Sequence, residues 1–96
     1  MKTRDEILKL LAREKPELER RFRVNQMALF GSYVRGDQQA GSDVDILVDV
    51  DPSIGLEFVS LAERIEELLG QPVDLISRRA IKPKKLKYIE QELIYV

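Results

Sequence analysis

The chain has 96 residues, 44% of them apolar and 34% charged, which describes one globular domain over residues 1–96, near the lower size limit for a single core. It contains no cysteine and no histidine, so disulfides, thiolate metal sites, imidazole bases and Ser-His or Cys-His triads are excluded, and any chemistry rests on carboxylates, hydroxyls, Lys, Arg and the backbone. Its 16 basic and 17 acidic residues leave a net charge of −1, which disfavours direct nucleic acid binding through the general surface.

The first residues, Met1-Lys2-Thr3-Arg4-Asp5, lack the apolar stretch of a signal peptide, and nothing approaches a membrane span, so the expected location is the cytoplasm. Thr3 and Glu6 have capping-box spacing, and Ile7, Leu8 and Leu11 then recur at helical intervals. The spacing predicts a helix over 4–14, with Pro16 opening a second short turn that carries Leu18 and Phe22. The apolar run 24–30 predicts a strand entering a tight turn at Gly31-Ser32, and the turn formers of 36–42 predict a loop.

Residues 43–50 alternate strictly. Val44, Ile46, Val48 and Val50 share one face of a predicted strand, and Asp43, Asp45, Leu47 and Asp49 share the other. A helix is predicted over 56–69, with Leu56, Val59, Ala62, Ile65 and Leu69 as its core stripe, Leu68 beside it and Gly70 as C-cap. Residues 72–77 read as a third strand, and 83–93 as a last helix burying Leu86, Ile89 and Leu93. The tail 94–96 is expected to add a short edge strand. The order of elements predicts an α/β fold, a small mixed sheet with helices packed against it.

The informative constellation is Gly31-Ser32, ten residues, then Asp43-Val44-Asp45. Carboxylates at i and i+2 on a strand project from the same face, where two like charges repel unless a cation shares them. Magnesium suits that position, because it takes hard oxygen ligands from one or two carboxylates together with phosphate oxygens and water. Asp74, a lone charge in the apolar run Val73-Asp74-Leu75-Ile76, converges on the pair if its strand lies alongside. Three carboxylates holding two metals about 3.5–4 Å apart suit in-line nucleotidyl transfer. With no histidine available, Asp74 is the natural acceptor for the proton of the attacking hydroxyl. Gly31 lets backbone approach a phosphate closely, the Ser32 hydroxyl can donate to a phosphate oxygen, and Arg35 can pair either with that phosphate or with a carboxylate of the loop.

The run Phe30-Gly31-Ser32-Tyr33-Val34-Arg35-Gly36…Ser42-Asp43-Val44-Asp45-Ile46-Leu47-Val48, with Pro72-Val73-Asp74-Leu75-Ile76, resembles the signature of the DNA polymerase beta-like nucleotidyltransferases, and in particular their minimal branch, the MNT proteins. The resemblance covers nearly the whole chain. It implies the polymerase beta-like fold, magnesium on Asp43, Asp45 and Asp74, and a triphosphate held by Gly31, Ser32 and Arg35. It further implies that the chain is an antitoxin that transfers AMP from ATP to a tyrosine hydroxyl of a HEPN toxin, an RNase, and so silences it. The opposing expectation is a non-catalytic antitoxin that neutralises its partner by contact; three clustered like charges would serve nothing in such a protein. Ninety-six residues hold the sheet and one triphosphate site, so the acceptor is expected on another chain, and a homo- or hetero-oligomer is open.

The segment 78–87 carries six basic residues and no acid. It reads as a solvated loop and helix face, or as a patch attracting ATP, an acidic partner or RNA held by that partner.

Overall fold

The computed structural model describes residues 2–96. Helix α1 (Arg4–Phe22) opens on Thr3, whose hydroxyl accepts from the Glu6 N–H while Glu6 Oε1 accepts from the Thr3 N–H, closing the capping box. The helix does not stop at residue 14 as the sequence suggests; it continues through Pro16 to Phe22. Proline removes one helical hydrogen bond and costs about 3 kcal/mol in a helix interior. Two circumstances offset that cost. Ile7, Leu11, Leu18 and Phe22 fall on one stripe and are all buried, and Pro16 and Ala12 are exposed, so the carbonyl left without a partner meets water.

Strand β1 (Val24–Phe30) leads into a one-turn helix α2 (Ser32–Arg35), and the following loop enters strand β2 (Val44–Val50). A short 3₁₀ turn over Pro52–Ile54, capped by Asp51, precedes helix α3 (Glu57–Leu69), which ends at Gly70. Strand β3 (Val73–Ser77), a 3₁₀ turn over Arg78–Ala80, helix α4 (Pro83–Ile89), a 3₁₀ turn over Glu90–Glu92 and strand β4 (Ile94–Tyr95) complete the order. The sheet runs β3-β2-β1-β4: β2 pairs antiparallel with β1 and parallel with β3, and β4 pairs antiparallel with β1. The mixed sheet with packed helices predicted from the sequence is therefore present, with strand ends that differ by one residue.

Helices α1 and α3 cover one face. Their apolar stripes pack on Val44, Ile46, Val48 and Val50 of β2 in the main core. The α3 stripe is rotated from the predicted one: Leu61, Ile65 and Leu69 are fully buried, whereas Leu56 is 90% and Val59 56% exposed. At 3.6 residues per turn Val59 lies about 200° round the axis from Leu61, so both cannot face the sheet. Ile65 and Leu69 belong to either stripe, and packing against α1 selects the one through Leu61.

The opposite face carries a smaller cluster in which Phe30, Leu47 and Ile89 pack with Ile76, Leu86 and Leu93. Helix α4 is shorter than predicted, tightening into the 3₁₀ turn after Ile89, but Leu86, Ile89 and Leu93 still form its inner stripe. This second layer covers only part of its face. Its apolar side chains reach Phe30 but leave Asp74 exposed and Asp45 partly exposed. Among the described residues no helix is long and apolar enough to cross a membrane.

Candidate active site

Strand register brings the acids together. In the antiparallel ladder Phe30 sits opposite Asp45, and in the parallel ladder Asp45 sits opposite Asp74. Side chains opposite one another in a ladder share a face, so Phe30, Asp45 and Asp74 form a row across three strands. Their alternation partners Val44, Ile46, Val73 and Leu75 point the other way, into the main core. The hydrophobic phase of β2 and β3 therefore fixes which face the carboxylates occupy. Asp43 stands exposed just before β2, two residues from Asp45, and Asp74 is exposed at the edge strand.

Gly31 closes the row on its other side. Its backbone adopts φ 80° and ψ −150°, and a Cβ built there would run into the Asp45 carboxylate. The turn from β1 into α2 thus lies directly against Asp45, which places Ser32, the first residue of α2, beside the acids. The Val34 and Arg35 amides donate to the Gly31 carbonyl, and Gly36, with φ 83°, ends the turn by donating to the Ser32 carbonyl. Tyr33 anchors it from inside: the side chain is 1% exposed, and its hydroxyl accepts from Gln71 Nε2 at 2.6 Å.

Arg35 pairs with carboxylates here, as one of its two sequence readings allowed. Its guanidinium lies 3.2 Å from Asp37 and 3.1 Å from Glu92. Glu92 carries no sequence motif and was not among the predicted site residues. It reaches the site from the 3₁₀ turn after α4, accepting from the Gly31 N–H at 3.2 Å as well as from Arg35. The only sequence cue is an acid just ahead of a strand-forming tail; 57 residues separate it from Arg35, so tertiary structure alone reveals the contact.

The electrostatics follow from this crowding. Partial burial, reinforced by the neighbouring Asp74 and Asp43 carboxylates and opposed by Arg35, pushes the Asp45 carboxyl up to about 6. Such an acid is an unbalanced negative charge that a cation would relieve, and carboxylate oxygens are the donor type magnesium prefers. Among the described residues no group of three acids stands together in a way that could hold a metal ion. Asp43 and Asp74 are both exposed.

This cost is measurable. The folded-state value of Asp45 lies above its ordinary 3.8, so its contribution favours the fold below about pH 4 and is lost as pH rises through about 6. In chelator at pH 7.5, Asp45→Asn is expected to raise Tm by about 5 °C, which corresponds to about 1 kcal/mol once solvent screening is discounted. The difference should vanish near pH 4. A lower Tm for the variant at pH 7.5 would contradict the assigned strain.

A cavity of about 530 Å³ lies elsewhere: Arg21, Phe22, Arg23, Ser53, Ile54 and Glu57 line it at the other end of β2. It gathers no acid cluster, and the carboxylate row lies instead on an open surface. In the basic segment, Arg78 pairs with Glu90 and donates to the Tyr95 hydroxyl, and Arg79 pairs with Asp49. Lys82, Lys84, Lys85 and Lys87 are exposed and, among the described residues, in no ion pair.

Comparison with known proteins identifies the family. Residues 11–96 match the family model described as a nucleotidyltransferase domain. The chain is 45% identical over 98 residues to the protein adenylyltransferase MntA of Thermococcus cleftensis, covering 100% of this chain and 98% of that one. Among solved structures, a toxin–antitoxin complex with AMP-PNP superposes with a TM-score of 0.69 at 27% identity, over 96% of this chain and 70% of that one. A mutant MntA–HpeT toxin–antitoxin pair also gives a TM-score of 0.69, at 26% identity over 100% of this chain and 72% of that one. With a family match over most of its length and a full-length relative at this identity, the chain belongs to the nucleotidyltransferase domain family, in its minimal, polymerase beta-like branch, and is a nucleotidyltransferase.

Proposed function

We propose that the chain transfers AMP from ATP, in a magnesium-dependent reaction, to a tyrosine hydroxyl of a HEPN toxin, and that this modification silences the toxin. The observation that carries this reading is the register of Asp45 with Asp74 beside the Gly31-Ser32 turn. That register supports reading the acids as ligands for a metal-bound triphosphate and Asp74 as the base for the acceptor. The Thermococcus relative is named a protein adenylyltransferase, and the complex holding AMP-PNP is a toxin–antitoxin pair, so donor and partner class both have precedent in proteins similar to this one.

Asp43 and Asp45 would hold magnesium, with Asp74 completing the set. Magnesium, when bound, neutralises polyphosphate charge and lowers the pKa of the attacking hydroxyl. The chain's own groups do the rest. Ser32 donates to a phosphate oxygen, Arg35 exchanges its Asp37 contact for phosphate, and Gly31 keeps the turn close to the acids. The acceptor oxygen bonds to the α-phosphorus as the bond to pyrophosphate breaks, and Asp74 takes the hydroxyl proton. The open site leaves room for a side chain presented by another protein.

The test mixes the chain with a candidate HEPN-domain partner, magnesium and ATP labelled at the α-phosphate. Label on a partner tyrosine, with loss of its RNase activity, is the expected result. Inhibition of the RNase with no label on either chain would overturn the catalytic reading in favour of neutralisation by contact.

A further inference from the structure

We infer that Glu92 is a positioning residue that clamps the phosphate-binding turn for nucleotide, through two contacts at opposite ends of that turn. The inference rests on the nucleotidyltransferase reading and extends it to a residue outside the motif. Glu92 Oε1 accepts from the Gly31 N–H at 3.2 Å and from Arg35 Nη1 at 3.1 Å, and Oε2 accepts from the same nitrogen at 3.2 Å. Gly31 precedes α2 and Arg35 ends it, so one carboxylate ties both ends of the turn to a single point.

That point is itself fixed. Glu92 closes the 3₁₀ turn between α4 and β4. On one side Ile89 is buried against Phe30 and Leu47, and on the other Ile94 pairs with Leu29 of β1. The Glu92 side chain is 21% exposed, far less than Arg35 at 50%. Without Glu92 the long arginine would be held only by exposed Asp37 and would sample more rotamers, and holding it against a fixed carboxylate removes that freedom before nucleotide arrives. The Gly31 amide needs the same restraint, because its glycine-only conformation is adjacent to Asp45. Glu92 therefore acts through Gly31 and Arg35 and needs no contact with the substrate.

The opposite physical outcome is competition, in which the Glu92 carboxylate occupies donors that a phosphate needs, so that its removal tightens binding. The test separates the two. Binding of AMP-PNP with magnesium is measured by calorimetry for the wild-type chain, Glu92→Ala and Glu92→Gln, alongside the transfer rate at saturating ATP. Clamping predicts that Glu92→Ala weakens AMP-PNP binding about tenfold while the saturated rate changes less than threefold. Glu92→Gln, whose carbonyl still accepts from Gly31, should recover part of the loss, and this near-isosteric variant guards against a folding artefact. Unchanged or tighter binding by Glu92→Ala would overturn the clamp while leaving the functional reading standing. Failure of the wild-type chain to bind AMP-PNP would instead overturn the functional reading and the clamp with it.

Discussion

Asp43→Asn/Asp45→Asn is expected to lower AMP transfer at least about 1,000-fold, the scale associated with removing preorganised electrostatic stabilisation from a transition state. Either carboxamide keeps the shape of the side chain and removes the charge. The strand should survive, because its hydrophobic face and its ladders to β1 and β3 do not involve the carboxyl groups. Loss of activity and loss of fold are therefore separable in one preparation. The checks are initial rates of label transfer and thermal melts of the same protein. Transfer at the wild-type rate by a folded double variant would eliminate Asp43 and Asp45 as the site, and with them the magnesium assignment. Retention of AMP-PNP binding without transfer would be compatible with the expectation, since the proposed phosphate contacts of Ser32 and Arg35 would remain.

Much of this was legible in the sequence because β2 alternates without exception. Once Val44, Ile46, Val48 and Val50 are assigned to the core, Asp45 has one place to go, and the lone Asp74 in an apolar strand must share it if the strands are neighbours. Asp45 opposite Asp74 is that arrangement. What sequence could not supply were choices made by tertiary packing. The α3 pattern supports two stripes that share Ile65 and Leu69, and only contact with α1 decides between Leu61 and Val59. Pro16 is a helix breaker by local propensity, yet the stripe through Leu18 and Phe22 carries the helix past it. Glu92 is the extreme case: it has no motif, and its importance comes entirely from the fold returning the C-terminal turn to Gly31 and Arg35.

Gly31→Ala should be the most damaging single-methyl change in the chain, costing about 3 kcal/mol, or roughly 15 °C in Tm for a domain of this size. Two separate penalties combine. The backbone at φ 80° and ψ −150° lies in a region essentially restricted to glycine, where an L side chain is strained whatever the space around it. The added Cβ also meets the Asp45 carboxyl group, which cannot retreat without disturbing its row with Phe30 and Asp74. Moving Asp45 should cost transfer about 100-fold, because misplacement on the ångström scale has that effect on a positioned reaction. Gly36→Ala provides the internal control. It has comparable φ of 83° but no atom within 4 Å of the added Cβ, so it carries backbone strain alone, about 1 kcal/mol. Melting curves and transfer rates of the two variants should therefore diverge, with Gly36→Ala nearer wild type in both. Gly36 occupies the ordinary left-handed region, so equal losses would mean that neither the glycine-only backbone of Gly31 nor its close approach to Asp45 adds any penalty.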